Sequence, residues 1–149
     1  MKILVGVDDS PHSEAALEFV KQMTWPRDSE VIVVSAVRPA VVMYTEMYIP
    51  TPVQTDQLMA EQHKAHEELV SRAELALKDR GFKTSAQVLV GDPRETLLDI
   101  ARAKGVDMIV VGSHGRSGIT KLIMGSVASH IVTHAPCNVL VVRPKSAAK

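Results

Sequence analysis

Two groups of residues, far apart in this sequence, are of the types and spacing that could do chemistry. One lies within Val106 to Ala128, VDMIVVGSHGRSGITKLIMGSVA. There an apolar run breaks at Gly112 into a Gly- and Ser-rich loop, which ends at Gly125-Ser126 as an apolar-periodic segment begins. A buried strand, a glycine loop and a new helix start form the arrangement by which α/β proteins hold phosphate. Glycines let the backbone approach a ligand closely, and the N–H groups of the new helix point at its charge. The other group centres on Asp8, at the end of the apolar run Ile3 to Val7. Its carboxylate can accept hydrogen bonds from hydroxyls, as acidic residues do with ribose in doubly wound folds. The N–H groups of Gly125 to Val127, with the Ser126 hydroxyl, suit a triphosphate, and Arg116 can add charge-assisted bonds to the same oxygens. The plain alternatives are a tight connection for the glycines and a helix cap for Asp8. The convergence of Asp8, Arg116 and Gly125-Ser126 favours nucleotide binding over a bare structural loop. The loop contains neither GxxxxGK[ST] nor GxGxxG, so neither of those phosphate motifs describes it.

Other chemistries are weaker on this sequence. His130 and His134 stand at i, i+4, and His63 and His66 at i, i+3. Either pair would need further ligands to hold zinc, and neither an HExxH pattern nor a neighbouring carboxylate supplies them, so both read as partly exposed surface histidines. His114, inside the loop, reads as a ligand contact and not as a base. Cys137 is the one cysteine, which rules out a disulfide framework within the chain and reads as a small core residue. Seventeen basic and seventeen acidic residues cancel, which argues against general nucleic-acid binding. No apolar stretch approaches a membrane span, and MKILVGVDD turns acidic too soon for a signal peptide, so the expected compartment is the cytoplasm.

The elements that must position these groups follow from periodicity. The chain of 149 residues is long enough for one domain with a real core, and 46% of it is apolar while 3% is aromatic, so that core is aliphatic. Apolar runs predict strands at Ile3 to Val7, Glu30 to Val37, Phe82 to Val90, Met108 to Val111 and Asn138 to Val142. Helical spacing fills the intervals. Ser10-Pro11 starts a first helix that Trp25-Pro26 closes, and a long helix runs from about Gln54 to Arg80 before Gly81. Asp92 caps a third, with Pro93 at its first position and Glu95 at its third, and a fourth runs from the glycine loop through His134. Residues 39 to 56 carry Val41, Val42, Met43, Tyr44, Met47, Tyr48 and Ile49, and read as an apolar flap packed on the domain, with a ligand lid as the alternative. Met43 and Met47 read as gap-fillers there.

Strands alternating with helices imply an α/β fold: a five-stranded parallel sheet with helices on both faces, Rossmann-like, over a single domain 1–144 with a frayed tail at 145–149. In the order 3-2-1-4-5 the crevice lies between strands one and four, where the Asp8 end of one meets the Gly112 loop after the other.

The spacing Gly112, two residues, Gly115, nine residues, Gly125-Ser126 resembles the ATP-binding signature of the universal stress protein family. KILVGVDDS, GDPRETLLDIA and GSVASHIVTHAPCNVLVV agree with that family in order and place, so the resemblance spans nearly the whole chain. It implies ATP as ligand, with Asp8 near adenine and ribose, Ser10 among the nucleotide-binding residues, and Val7 and Ala36 lining the adenine pocket. Gly91 falls near the base or ribose. Gly112, His114, Gly115 and Arg116 match the loop over ribose and phosphates, and Gly125, Ser126 and Val127 the phosphate cradle. Asp8 is also the candidate to hold Mg2+ through the nucleotide. Where many members have Gly after the first Asp, this chain has Asp9, whose charge would disfavour an anion if it faced the site.

Three functions fit. The first is a regulatory, stress-response adenine-nucleotide binder with at most slow turnover. The second is a slow ATPase or a self-phosphorylating enzyme using Ser117, Thr120 or Ser126. The third is a nucleotide-free dimeric stress factor, against which the glycine signature weighs. Efficient phosphoryl transfer needs a positioned metal, an oriented nucleophile and charge stabilisation, and the sequence offers no evident base near the phosphates, so binding without fast turnover is the expectation. The apolar last strand would be a bare sheet edge, which invites pairing. The resemblance likewise implies a homodimer through residues 137–142.

Overall fold

Short apolar runs rich in Val and Ile form the strands β1 (Lys2–Gly6), β2 (Glu30–Val37), β3 (Lys83–Val90), β4 (Met108–Gly112) and β5 (Asn138–Val142). The segments between them form α1 (Pro11–Gln22), α2 (Pro52–Lys78), α3 (Pro93–Lys104) and α4 (Ser126–His134). The structure is a computed structural model and describes residues 1–38, 52–115 and 124–144. Most of the apolar flap (39–51), Arg116, Ser117 and Thr120 of the glycine loop, and the tail 145–149 lie outside the described residues.

Every strand pairing is parallel, and the order is β3-β2-β1-β4-β5, as expected from the alternation of elements. Parallel strands covered on both faces must be apolar on both. Along β1 the side chains alternate accordingly. Ile3 and Val5 join Val31, Val33, Val20 of α1 and Leu77 of α2 in one buried cluster. Leu4 faces the other way, with Ile32, Ile109, Leu97 and Leu98 of α3 and Ile131 of α4. Thus α1 and α2 cover one face and α3 and α4 the other.

The caps explain where the helices begin and end. The Ser10 hydroxyl accepts from the Ser13 N–H at 3.1 Å to start α1, and the Asp92 carboxylate accepts from the Arg94 N–H at 2.9 Å to start α3. Glu95 does not complete a capping box at α3; it turns to α4, as described below. The long helix stops at Lys78 and not at Arg80, because the Gly81 and Phe82 N–H groups fold back onto the Lys78 and Leu77 carbonyls. Gly81 takes φ 85° there, a left-handed conformation that favours glycine. β1 likewise ends one residue before Val7, although the Val7 N–H still reaches the Val34 carbonyl at 2.9 Å.

The connections after β1 and after β4 lead to opposite faces of the sheet. Between the C-terminal ends of these two neighbours the chain leaves the crevice where doubly wound proteins carry their ligands.

Candidate functional site

A cavity of about 540 Å³ occupies that crevice, a size within the range of small-molecule sites. Its apolar wall comes from the strand ends and α3, with Val7, Val34, Ala36, Val111 and Leu97. Its polar rim holds Asp8, Arg38, His66, His114 and Ser126.

Asp8 sits at the centre because β1 ends in a turn that its own carboxylate organises. Oδ1 accepts from the Ser10 N–H at 3.0 Å and from the Ser10 hydroxyl at 2.5 Å. The Asp8 N–H donates to the Ser13 hydroxyl at 2.9 Å. The Ser10 hydroxyl therefore gives its proton to Asp8 while its oxygen caps α1. The plain alternative for Asp8, a helix cap, is thus filled by Ser10, and Asp8 braces the cap from behind. The second carboxylate oxygen looks across the crevice: a Cβ on Gly115 would stand 2.9 Å from Asp8 Oδ2. The acidic end of the first strand and the glycine loop, 107 positions apart in the chain, meet here as expected.

The glycine loop is held by close backbone packing. A Cβ on Gly112 would lie 2.6 Å from the carbonyl carbon and oxygen of His12, so the first turn of α1 rests on this glycine. The Gly125 N–H donates to the Ser113 carbonyl at 2.8 Å, which folds the far end of the loop back onto β4. Gly125 is the N-cap of α4, and it has no side chain with which to cap. The first turn of α4, with Ser126 and Val127, lines the cavity. A helix start without a side-chain cap keeps its N–H groups and partial positive charge for an anion.

Two polar clusters at this rim were not evident from the sequence. Ser113 is fully buried, and its Oγ lies 3.1 Å from His12 Nδ1 and 3.2 Å from His114 Nδ1, with the two rings 4.9 Å apart. One hydroxyl proton cannot serve two acceptors, so at least one of the two rings donates its Nδ1 proton to the Ser113 oxygen. The loop is thereby tied to α1. On the opposite side the Ser35 hydroxyl lies 2.7 Å from the Val7 carbonyl and 2.7 Å from His66 Nδ1. His66 is therefore a cavity residue and not merely a surface one, which corrects the sequence reading. The signal was available: positions 66, 70, 73 and 77 form one helical stripe, and Val70, Ala73 and Leu77 are its buried members.

The other expected residues fall as follows. Val7, Asp8, Ala36, Gly112, His114, Gly115, Gly125, Ser126 and Val127 come together around the cavity. Ser10 and Gly91 are not among the lining residues. Ser10 is buried beneath Asp8, and Gly91 closes on α3, where a Cβ would stand 2.9 Å from the Thr96 hydroxyl. Asp9 is exposed and does not line the cavity. Arg116 lies outside the described residues. Cys137 is partly exposed and packs against the α3/α4 cluster, where burial pushes its thiol pKa up.

His130 does have a carboxylate partner, contrary to the expectation from sequence. Glu95 reaches across from α3 to place Oε1 3.0 Å from His130 Nε2. His134 stacks on His130 at 4.2 Å and directs Nδ1 at the His130 carbonyl, 2.9 Å away. This ties the first turn of α3 to the middle of α4, two helices whose starts both border the cavity. Among the described residues no group of three or more His, Cys, Asp or Glu is placed to hold a metal ion. Nor is any described helix long and apolar enough to cross a membrane.

A parallel sheet in this order, with a glycine loop and an open helix start at its crevice, defines a doubly wound α/β protein with a cavity at the strand-order reversal. The chain belongs to the Universal stress protein family, whose model matches residues 1–143. It is similar to Universal stress protein YxiE of Bacillus subtilis, 30% identical over 146 residues, covering 95% of this chain and 98% of that one. It is 32% identical over 146 residues to Universal stress protein A homolog 2 of Coxiella burnetii, covering 97% and 95% of the two chains. The solved structure of protein MJ0577, from Methanocaldococcus jannaschii, superposes with a TM-score of 0.82 at 29% identity, covering 98% of this chain and 97% of that one. Two more distant structures of the same fold were solved with small ligands. One is a universal stress protein in complex with cAMP, at 22% identity and TM-score 0.65, covering 96% of each chain. The other is an Arabidopsis thaliana family member with AMP bound, at 17% identity and TM-score 0.66, covering 98% of this chain and 93% of that one.

Proposed function

We propose that this chain is an adenine-nucleotide-binding universal stress protein of the ATP-binding group, a regulatory binder with at most slow ATP turnover. One observation carries the reading: Asp8 Oδ2 and the glycine loop close on each other at the mouth of a cavity that also takes in the uncapped start of α4. Triphosphate seats on the Ser126 and Val127 N–H groups, ribose hydroxyls donate to Asp8, and the base lies against Val7, Val34 and Ala36. The AMP- and cAMP-bound relatives are too distant to carry more than the fold, so the reading rests on this chain's own residues. The donor set fits a nucleotide and suits a nucleotide-borne Mg2+ only in part, since Asp8 Oδ1 is already taken up by Ser10 and Oδ2 alone remains for the ion. The bare edge of β5 is the proposed contact of a homodimer.

Nucleotide released by denaturing freshly purified protein, identified by mass spectrometry, tests the ligand. Equilibrium dialysis with ATP and with AMP gives the affinities. Adenine nucleotide binding that falls at least about tenfold in Asp8→Ala is the expected result, as loss of a charged hydrogen-bonding partner implies. Folded protein that binds neither ATP nor AMP overturns the proposal. Phosphate release from bound ATP, measured alongside, separates a binder from a slow ATPase.

A further inference from the structure

On β2 the side chains alternate between the two faces of the sheet. Val31 and Val33 enter the α1/α2 cluster, and Ile32 and Val34 the α3/α4 cluster. Ala36 and Arg38 continue the second series, and Val34, Ala36 and Arg38 all line the cavity. The stripe thus passes from apolar floor to a cation within two residues of strand, about 7 Å. Arg38 is exposed at the mouth. The carboxylate that feels its charge is Asp92, and Arg94 already bonds that carboxylate. Among the described residues no hydrogen bond or ion pair holds the Arg38 guanidinium. The start of α4 follows β4, and β1 with Asp8 stands between β4 and β2. Two strand spacings, about 10 Å, therefore part Arg38 from the phosphate end of the site. Arg38 faces the other end of the ligand, where a nucleotide with its ribose at Asp8 carries its base. No Phe, Tyr or Trp is among the described residues that line the cavity. One face of a base can lie on the methyl groups of Val34 and Ala36. The planar cation two residues further on is the group placed to cover the other.

We propose that the Arg38 guanidinium stacks on the base of the bound nucleotide and makes the site selective for purines over pyrimidines. The inference rests on the nucleotide reading of the cavity and adds to it the residue that reads the base. Selectivity comes from reach. Either kind of base starts at the ribose, which Asp8 holds. A purine carries its six-membered ring one ring further out than a pyrimidine does, and that outer ring arrives under Arg38. A pyrimidine stops short and leaves the guanidinium in water.

ATP and CTP share ribose, triphosphate and an exocyclic amino group, and differ in the length of the ring system. The ratio of their affinities, by equilibrium dialysis, therefore cancels what the phosphate end contributes. Wild-type protein is expected to bind ATP at least about fivefold more tightly than CTP, within the range of one cation–π contact. Arg38→Ala lowers ATP affinity and leaves CTP affinity within about twofold, so that the ratio falls at least about threefold. Arg38→Lys keeps the charge without the plane, and its ratio stays below that of the wild type. Circular dichroism confirms that each variant is folded. A wild-type ratio near one overturns the proposal. So does a folded Arg38→Ala protein with an unchanged ratio, including equal loss of both ligands, which marks Arg38 as a charge acting on the phosphates from afar. Full recovery of the ratio in Arg38→Lys overturns the stacking, because charge alone is then enough. If folded wild-type protein binds neither nucleotide, the reading of the cavity itself has failed and this inference falls with it.

Discussion

At Gly115 a methyl group has nowhere to go except into a carboxylate. The neighbour it meets, Asp8 Oδ2 at 2.9 Å, is the end of a side chain and can move, but only by disturbing the two bonds Oδ1 makes to Ser10. Gly115→Ala is therefore expected to damage the site more than the fold. ATP affinity by dialysis falls about tenfold, while stability in urea changes by less than about 1 kcal/mol, the net worth of one typical hydrogen bond, because the carboxylate can tilt without losing both of its bonds. Asp92 offers a test of opposite kind, on stability alone. Side-chain and backbone hydrogen bonds from Arg94 hold its carboxyl at about 2, below the ordinary 3.8. A lowered folded-state value means that the ionised carboxylate stabilises the fold. That contribution is complete above pH 3.8 and is lost as pH falls through about 2. Asp92→Ala should thus cost about 1 kcal/mol at pH 7, the usual worth of an N-cap. The gap between wild type and variant in denaturant midpoints should narrow progressively below pH 4. A gap that stays constant down to pH 2 would remove the carboxylate from the cap.

The packing of α1 on β4 depends on one missing side chain. Gly112 faces the backbone of His12, at 2.6 Å from where a Cβ would be, and a helix backbone cannot swing aside as a side chain can. Gly112→Ala must lift the first turn of α1 and strain the Ser10–Asp8–Ser13 bonds that begin it. A loss of about 1–3 kcal/mol is expected, the range for forced overpacking, together with weaker nucleotide binding. A fully stable Gly112→Ala protein would show that α1 does not rest there. The elements themselves were legible because each is written locally. β2 and β5 match the apolar runs residue for residue, and Ser10-Pro11 and Asp92-Pro93 start helices where their chemistry requires. What was not legible is what depends on a second element. Glu95 has the sequence position of a capping-box residue, yet it reaches the ring of His130 on α4, with Oε1 3.0 Å from Nε2. His12 and Ser113 are 101 positions apart, and neither carries a motif that announces the other. His66 lay on a readable stripe, but a helical stripe does not say which of its residues reaches past the core to a cavity.

Seen whole, the sheet ends in two edges of unlike character. β3 forms one, with Lys83 at its start and the long α2 packed along it. β5 forms the other; its sequence is NVLVV, with no charge and no proline, and among the described residues its one partner in the sheet is β4. The side chains of β5 are already spent on the two core clusters: Leu140 and Val142 pack on the α1/α2 side, Val139 and Val141 on the α3/α4 side. The free feature of that edge is its row of backbone N–H and C=O groups, which in an unprotected apolar strand draws another strand to it. A second copy of the same edge, related by a two-fold axis, satisfies both rows at once, as closed symmetry requires. Wild-type protein is accordingly expected to be a dimer in size-exclusion chromatography with light scattering. Val141 stands opposite Val111 in the middle of β5, so Val141→Pro removes a donor and wedges a ring into the strand. The expected product is a monomer whose circular dichroism still shows the α/β fold. Because the cavity lies between β1 and β4, one strand in from this edge, that monomer should keep its ATP affinity within about twofold, well short of the tenfold set by a lost polar partner. A folded dimer would move the contact elsewhere on the surface, and a monomer that no longer binds ATP would mean that pairing of the edges also shapes the crevice.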